Sequence, residues 1–478
     1  MDESQMNVAY DAVMGRRSEI IANATGIDYR AFEQEGLAFD YNALIRSAGH
    51  DLASVIDIQR SAGVGMTPLL ELRRLTDLAR AVAQPGKGAR IFVKDEAANP
   101  SGSFKDRRAV LAVHEAVSRG YKGIIAATSG NYGAAVASRA AAQGLDCIVL
   151  QEVFDSSGVG QPEILEKGRK CEAYGAEVQQ VTVGPELFYL LLLALEETGF
   201  FSASLYSPHA IAGIMTLGVE VCAQTQEITG RHPDAVVITH AGGGNVTGTA
   251  LGLKHAGCAA DVVAASVDLA GLHMASDHDF NRKSFTTGHT GFGMPFATKP
   301  DRVDVPRNAA RALRFMDRYL LVSQGEVFYM TELLARLEGL ERGPAGNTSL
   351  AAAFALATEM ARDKVIVVQE TEYTGAGKHP NAQLEFARSR GIQIKRGDPA
   401  TEVAGTSIVI PDSPTRIRCR DLDLHSIRRS YLINLIPEHG ERAITKNELQ
   451  FLSDETKWPV SRVRDEWEIS RRSAQEQA

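Results

Sequence analysis

Four short stretches carry the residues able to do chemistry. The first, "NPSGSFKDRRA" (99–109), sets Lys105, Asp106, Arg107 and Arg108 behind a Pro-Ser-Gly-Ser turn. Pro100 and Gly102 suit a turn. Ser103 with Asp106 matches a serine cap and a carboxylate three residues on, so a helix is expected from about Phe104 to Arg119. Lys105 then falls in the first helical turn, where the partial positive charge of the helix end disfavours an ammonium. A lysine biased towards its neutral form suits Schiff-base chemistry with a carbonyl cofactor; the alternative is an ordinary surface lysine.

The second stretch, "ATSGNYGAA" (127–135), reads as strand, Ser-Gly-Asn turn and helix, which exposes amides and hydroxyls to an anion. The third is "HAGGGNVTGTALG" (240–252), where glycines between a strand and a helix let backbone N–H groups close on a phosphate. No Gly-Lys-Ser/Thr follows, so it is not a P-loop. Gly242, Gly244 and Gly248, with Asp268 ending the next strand, keep a dinucleotide site in play, although the spacing misses G-x-G-x-x-G by one residue. The fourth, "ETEYTGAGKHP" (370–380), places hydroxyls and glycines after a strand, where open α/β sheets bind ligands. His209, His240 and His379 lie at motif edges and read as hydrogen-bonded loop residues.

The elements that must position these stretches are apolar runs alternating with helical ones. Strands are expected at 89–96, 123–128, 146–152, 177–183, 234–241, 261–268 and 363–371. Runs of this kind, apolar on both faces and separated by helices, mean parallel sheets in an α/β chain. Residues 1–60 read as polar helices without a core strand. After about Gly397 a charged tail follows, suited to a small appended domain or an oligomer interface. The apolar run Leu187–Leu195 is too short to cross a membrane and reads as a buried helix. A net charge of −8 argues against nucleic acid as the main partner. The five cysteines are scattered with no metal-ligand spacing, so no metal site is expected. With no signal-peptide core at the N-terminus, a reduced, cytoplasmic enzyme fits these features.

The four stretches in this order resemble the fold type II pyridoxal-phosphate enzymes, such as cysteine synthase, threonine synthase and the serine and threonine dehydratases. The resemblance covers roughly 63–385. "TPLLEL" (67–72) is similar to that family's entry segment. It implies pyridoxal 5'-phosphate as cofactor and Lys105 as the catalytic, cofactor-bearing lysine. It also implies Thr128, Ser129, Gly130 and Asn131 around the substrate carboxylate, with Asn131 against the cofactor's phenolic oxygen. Gly242, Gly243, Gly244 and Asn245 resemble the phosphate cup, and Thr374 resembles the hydroxyl facing the pyridine nitrogen, with Thr371 a nearby competitor. The implied fold has two doubly wound αβα domains with open, twisted, mostly parallel sheets. Residues 63–125 and 205–395 would form the larger cofactor-binding domain and 126–204 the smaller substrate-loop domain. An N-terminal helical extension (1–62) and a C-terminal appended segment (396–478) would flank them.

Over most of its length, in "GLAFDYNAL" (36–44), "KDEAANPSGSFKDRRA" (94–109) and "GVGQPEI" (158–164), the chain is similar to a thiolase branch of that family. The branch implies cleavage of 2-amino-4-oxopentanoate by coenzyme A to alanine and acetyl-CoA, in ornithine degradation. It also implies a small α subunit beside a β chain that forms a homodimer within a hetero-oligomer. A threonine synthase-like or dehydratase-like β-elimination or replacement shares every cofactor motif. A non-catalytic scaffold subunit that binds cofactor only to fold is the remaining alternative, and an intact Lys105 and carboxylate loop argue against it.

Overall fold

All seven expected runs become strands, and each pairs parallel with at least one neighbour in one of two sheets. The computed structural model describes residues 3–128, 130–155, 157–184, 186–269, 284–286, 294–301, 307–373 and 380–477. The strands are β1 (Leu69–Glu71), β2 (Arg90–Asp95), β3 (Gly123–Thr128), β4 (Asp146–Phe154), β5 (Glu177–Thr182), β6 (Phe201–Ser202), β7 (Ala235–Thr239), β8 (Asp261–Val267), β9 (Arg318–Val322), β10 (Val365–Glu370), β11 (Gln393–Gly397), β12 (Ser407–Pro411) and β13 (Arg420–Asp421). The larger sheet has the order β1-β2-β10-β7-β8-β9-β13, and the smaller one β5-β4-β3-β6. β11 and β12 form a parallel pair of their own.

Burial explains the arrangement. Every residue of β7 and β10 is buried, as central strands covered on both faces require. The short strands β1 and β13 pair antiparallel at the two edges of the larger sheet. The helix Pro344–Glu359 covers one face, with Leu350 to Ala357 all buried. On the other face the helices Pro208–Thr229 and Gly244–His255 cross almost in backbone contact. A Cβ on Gly218 would lie 2.2 Å from the Thr249 carbonyl oxygen, and one on Gly252 2.0 Å from that of Met215.

Three sequence expectations need adjusting. The break expected after residue 125 falls inside β3, whose six residues all pair in the smaller sheet. The break expected after 395 falls inside β11. The tail does not stand apart, because β13 extends the larger sheet and the last helices pack on the N-terminal segment. The Leu37 N–H donates to the Glu448 carboxylate at 2.9 Å, for example. The run Leu187–Leu195 lies in the helix Glu186–Thr198, with Leu187, Leu191, Leu192 and Leu195 buried. Among the described residues no helix is long and apolar enough to cross a membrane.

Candidate active site

The Lys105 loop is fastened to the chain that leaves β10. The Phe104 N–H donates to the Thr371 carbonyl at 3.1 Å, and the Tyr373 N–H to the Gly102 carbonyl at 2.7 Å. Gly102 takes φ +81°, and a Cβ there would lie 2.5 Å from the Tyr373 carbonyl oxygen. Two of the four stretches are thus side by side at the C-terminal end of the larger sheet.

The expected serine–carboxylate cap does not form. The Asp106 carboxylate instead accepts from the Ser101 N–H at 2.6 Å, and the Ser103 hydroxyl accepts only a 3.4 Å bond from the Lys105 N–H. The cause is a tightened first turn. Asp106 and Arg107 donate to the Ser103 and Phe104 carbonyls, three residues back, and the regular helix Asp106–Ser118 starts two residues later than expected. Lys105 is its half-buried cap residue, with Nζ 4.4 Å from the centre of the Phe104 ring.

Below Lys105 lies a buried charge network. Arg107 donates to Glu96 at 2.7 Å and to Glu220 at 2.8 Å, and Lys94 donates to Glu220 at 2.7 Å. Burial pushes the Glu220 carboxyl up, but Arg107 and Lys94 outweigh it and hold Glu220 down to about 2. Two cations facing two carboxylates close this network without a ligand.

The 128–131 loop is built differently. The Thr128 hydroxyl accepts from the Gly130 N–H at 2.9 Å, and Gly130 caps the helix Asn131–Gln143. The helix Pro162–Ala173 ties this loop to the first one. A Cβ on Gly130 would lie 2.7 Å from Lys167 Cδ, while Lys170 donates to the Ser101 carbonyl at 2.6 Å. Ser129 lies outside the described residues, as do Thr374 and His379. Thr371 is buried. Next to it, burial and then the Glu372 charge push the Glu370 carboxyl well above the usual range.

At the end of β7 the chain turns through Gly243 (φ +86°) into the helix Gly244–His255. A Cβ on Gly242 would meet the Tyr206 hydroxyl at 2.5 Å, and one on Gly244 would meet Arg108 Nη2 at 3.0 Å. Asn245 Nδ2 and Arg108 Nε are buried donors without a partner among the described residues. Backbone amides at a helix start, an unpaired amide donor and a guanidinium whose Nε is unpartnered form a cradle of donors that fits a phosphate. His240, under the cup, donates to or accepts from the Tyr319 hydroxyl at 3.0 Å, and burial pushes its pKa down to about 3. It is neutral at physiological pH. His209 is fully buried, 3.6 Å from Glu115. His50, His114 and Glu115 bring ligand-type atoms within 4.8 Å of one another. Arg119 donates to Glu115 at 2.8 Å and already supplies that carboxylate's counter-charge.

The family model described as pyridoxal-phosphate dependent enzyme matches residues 60–372. The chain belongs to the pyridoxal-phosphate-dependent enzymes. It is 61% identical over 451 residues, 94% of its length and 96% of the relative's, to the 2-amino-4-ketopentanoate thiolase beta subunit of Acetoanaerobium sticklandii. A probable cysteine synthase of Bacillus subtilis is 29% identical, covering 64% of this chain and 90% of that one. A crystal structure of T.th. threonine deaminase superposes with a TM-score of 0.51 at 26% identity, covering 67% of this chain and 96% of that one. Pyridoxal phosphate is therefore the cofactor, in a fold type II framework.

Three side chains near the loops were not singled out from the sequence. Arg108 lies one helical turn from Lys105, so its place on the same face was readable. Tyr206 and Lys167 come from other elements, and nothing local to the motifs points to them.

Proposed function

We propose that this chain is the β-type subunit of a thiolase that cleaves 2-amino-4-oxopentanoate with coenzyme A to alanine and acetyl-CoA, in ornithine degradation. The 61% identity across 94% of the chain to a protein of that name carries this reading. Bound pyridoxal phosphate supplies the electron sink for charge developing beside the substrate amine. Lys105 carries the cofactor and moves the proton at the substrate's α carbon. Thr128, Ser129, Gly130 and Asn131 hold the substrate carboxylate, with Asn131 also against the phenolic oxygen. Gly242, Gly243, Gly244 and Asn245 hold the phosphate, and Thr374 faces the pyridine nitrogen.

In the overall reaction the coenzyme A sulfur bonds to C4 and the C3–C4 bond breaks. The acetyl group leaves on sulfur, while C3 keeps the electron pair and takes a proton to become the alanine methyl. The attacking thiol comes from the substrate, not from the protein. Burial pushes the thiols of Cys147, Cys171 and Cys419 up to about 12. Cys222 and Cys258 are free thiols that share a hydrogen bond near the start of β8, the end of the sheet away from Lys105.

The reading includes a small α subunit, a homodimer of this chain, and a cytoplasmic setting. It also assigns 123–204 as the substrate-loop domain and the larger sheet as the cofactor domain. The test is purification with and without the candidate α partner. Acetyl-CoA formation from 2-amino-4-oxopentanoate is expected. Ammonia release from serine or threonine without acetyl-CoA would move the assignment to a β-eliminating lyase.

A further inference from the structure

Arg108 differs from the arginine beside it. Arg107 faces two carboxylates, whereas Arg108 has no carboxylate partner among the described residues. It is 4% exposed, its Nε is unpartnered, and its guanidinium makes a long 3.4 Å contact from Nη1 to the Leu205 carbonyl. Its guanidinium carbon lies 5.1 Å from the centre of the Phe104 ring, the ring that Lys105 Nζ also approaches. Its Nη2 reaches within 3.0 Å of where a Gly244 Cβ would stand. Burial lowers its pKa to about 10, which leaves it charged at neutral pH. A buried, unpaired cation is strongly unfavourable unless an anion joins it.

We propose that Arg108 is the counter-charge of the cofactor phosphate, completing a cup whose other donors are neutral backbone and amide groups. The helix start supplies only partial charge against a dianion, and Arg108 adds a full charge and a forked donor matched to phosphate oxygens. The proposal rests on reading 242–245 as the phosphate cup. It carries a second consequence. Without cofactor, the fold holds an uncompensated guanidinium, so Arg108 trades stability of the empty protein for affinity.

The test uses the full chain stripped of cofactor and titrated with pyridoxal phosphate and, separately, with pyridoxal, which lacks the phosphate. Binding is followed by visible absorption and the bound cofactor by its phosphorus resonance. Arg108→Met should weaken pyridoxal phosphate roughly 10- to 100-fold, the range for losing a charge-assisted bond. It should leave pyridoxal binding unchanged and move the phosphorus resonance. The empty Arg108→Met protein should melt at or above the empty wild type, and Arg108→Lys should bind the phosphate form with intermediate affinity. Equal weakening of both ligands, or of neither, would overturn the proposal. So would an empty Arg108→Met protein that melts well below wild type, because the guanidinium would then have its partner within the chain. Gly243→Val separates the two readings. If it weakens pyridoxal phosphate while Arg108→Met does not, the cup stands and the role of Arg108 fails. If it changes nothing, the cup is misplaced.

Discussion

Consecutive residues at the mouth of one helix have different tasks because their surroundings differ. Lys105 is half-buried and reachable, and it is the residue expected to carry the cofactor. Borohydride reduction of the loaded protein should fix the cofactor to the peptide containing Lys105, as mass spectrometry would read, and label on any other lysine would refute the assignment. Arg107 is fully buried between Glu96 and Glu220. Arg107→Ala leaves both carboxylates short of a cation and should cost about 3–5 kcal/mol in urea unfolding, the usual loss when one partner of a buried pair is removed. A loss below about 1 kcal/mol, the range of a surface pair, would show that solvent reaches the network. In the sequence these residues read alike. "KDRR" names four charges, but only the packing of Glu96 from one segment and Glu220 from another shows which arginine is already neutralised. The same limit hides Lys167, which reaches Gly130 from a helix in another segment.

Elements place these residues, and the long central strands were readable because burial on both faces leaves uninterrupted apolar runs. β9, "RYLLV", has the same character and was not among the expected strands. β1, β6 and β13 have two or three residues and show no period to read. The helix start at Asp106 was missed by two residues because a tightened turn and a cross-loop bond to Ser101 replace the local cap. The crossing of Pro208–Thr229 over Gly244–His255 is likewise invisible locally, since it depends on glycines in two helices meeting. That crossing fixes the helix whose first turn is the proposed phosphate cup. Gly218→Val would drive methyl groups into the Thr249 carbonyl. It should cost about 1–3 kcal/mol of stability, as overpacked cores do. If the helices separate, cofactor affinity should fall with it, measured by visible titration. Stability lost with affinity unchanged would mean that the cup is held by β7 alone.

At the scale of the whole molecule, the two ends of the chain close over each other beside the larger sheet. Glu448 accepts from the Leu37 N–H and from Arg442, each at 2.9 Å. Glu455 takes Arg311, Arg314 and the Tyr431 hydroxyl, the last at 2.6 Å. Arg311 precedes the turn 312–314, and a Cβ on Gly243 would lie 3.1 Å from the Ala312 methyl, so the clasp backs onto the cup. Burial pushes the Glu455 carboxyl up, but Arg311 and Arg314 prevail and hold it down to about 2, against an ordinary value of 4.5. A carboxyl whose folded pKa is depressed stabilises the fold above its unfolded pKa, and that contribution is lost as pH falls through the folded value. Glu455 should therefore contribute roughly 3 kcal/mol near neutral pH. The contribution should fade between about 4.5 and 2, the two values that bracket its titration. Glu455→Gln has the shape of the protonated side chain. Its melting temperature should lie well below wild type at pH 7, and the gap should narrow steadily on acidification below the ordinary carboxyl value. A gap that stays constant across that window would show that Glu455 is already protonated in the folded protein and that the arginines find their charge elsewhere.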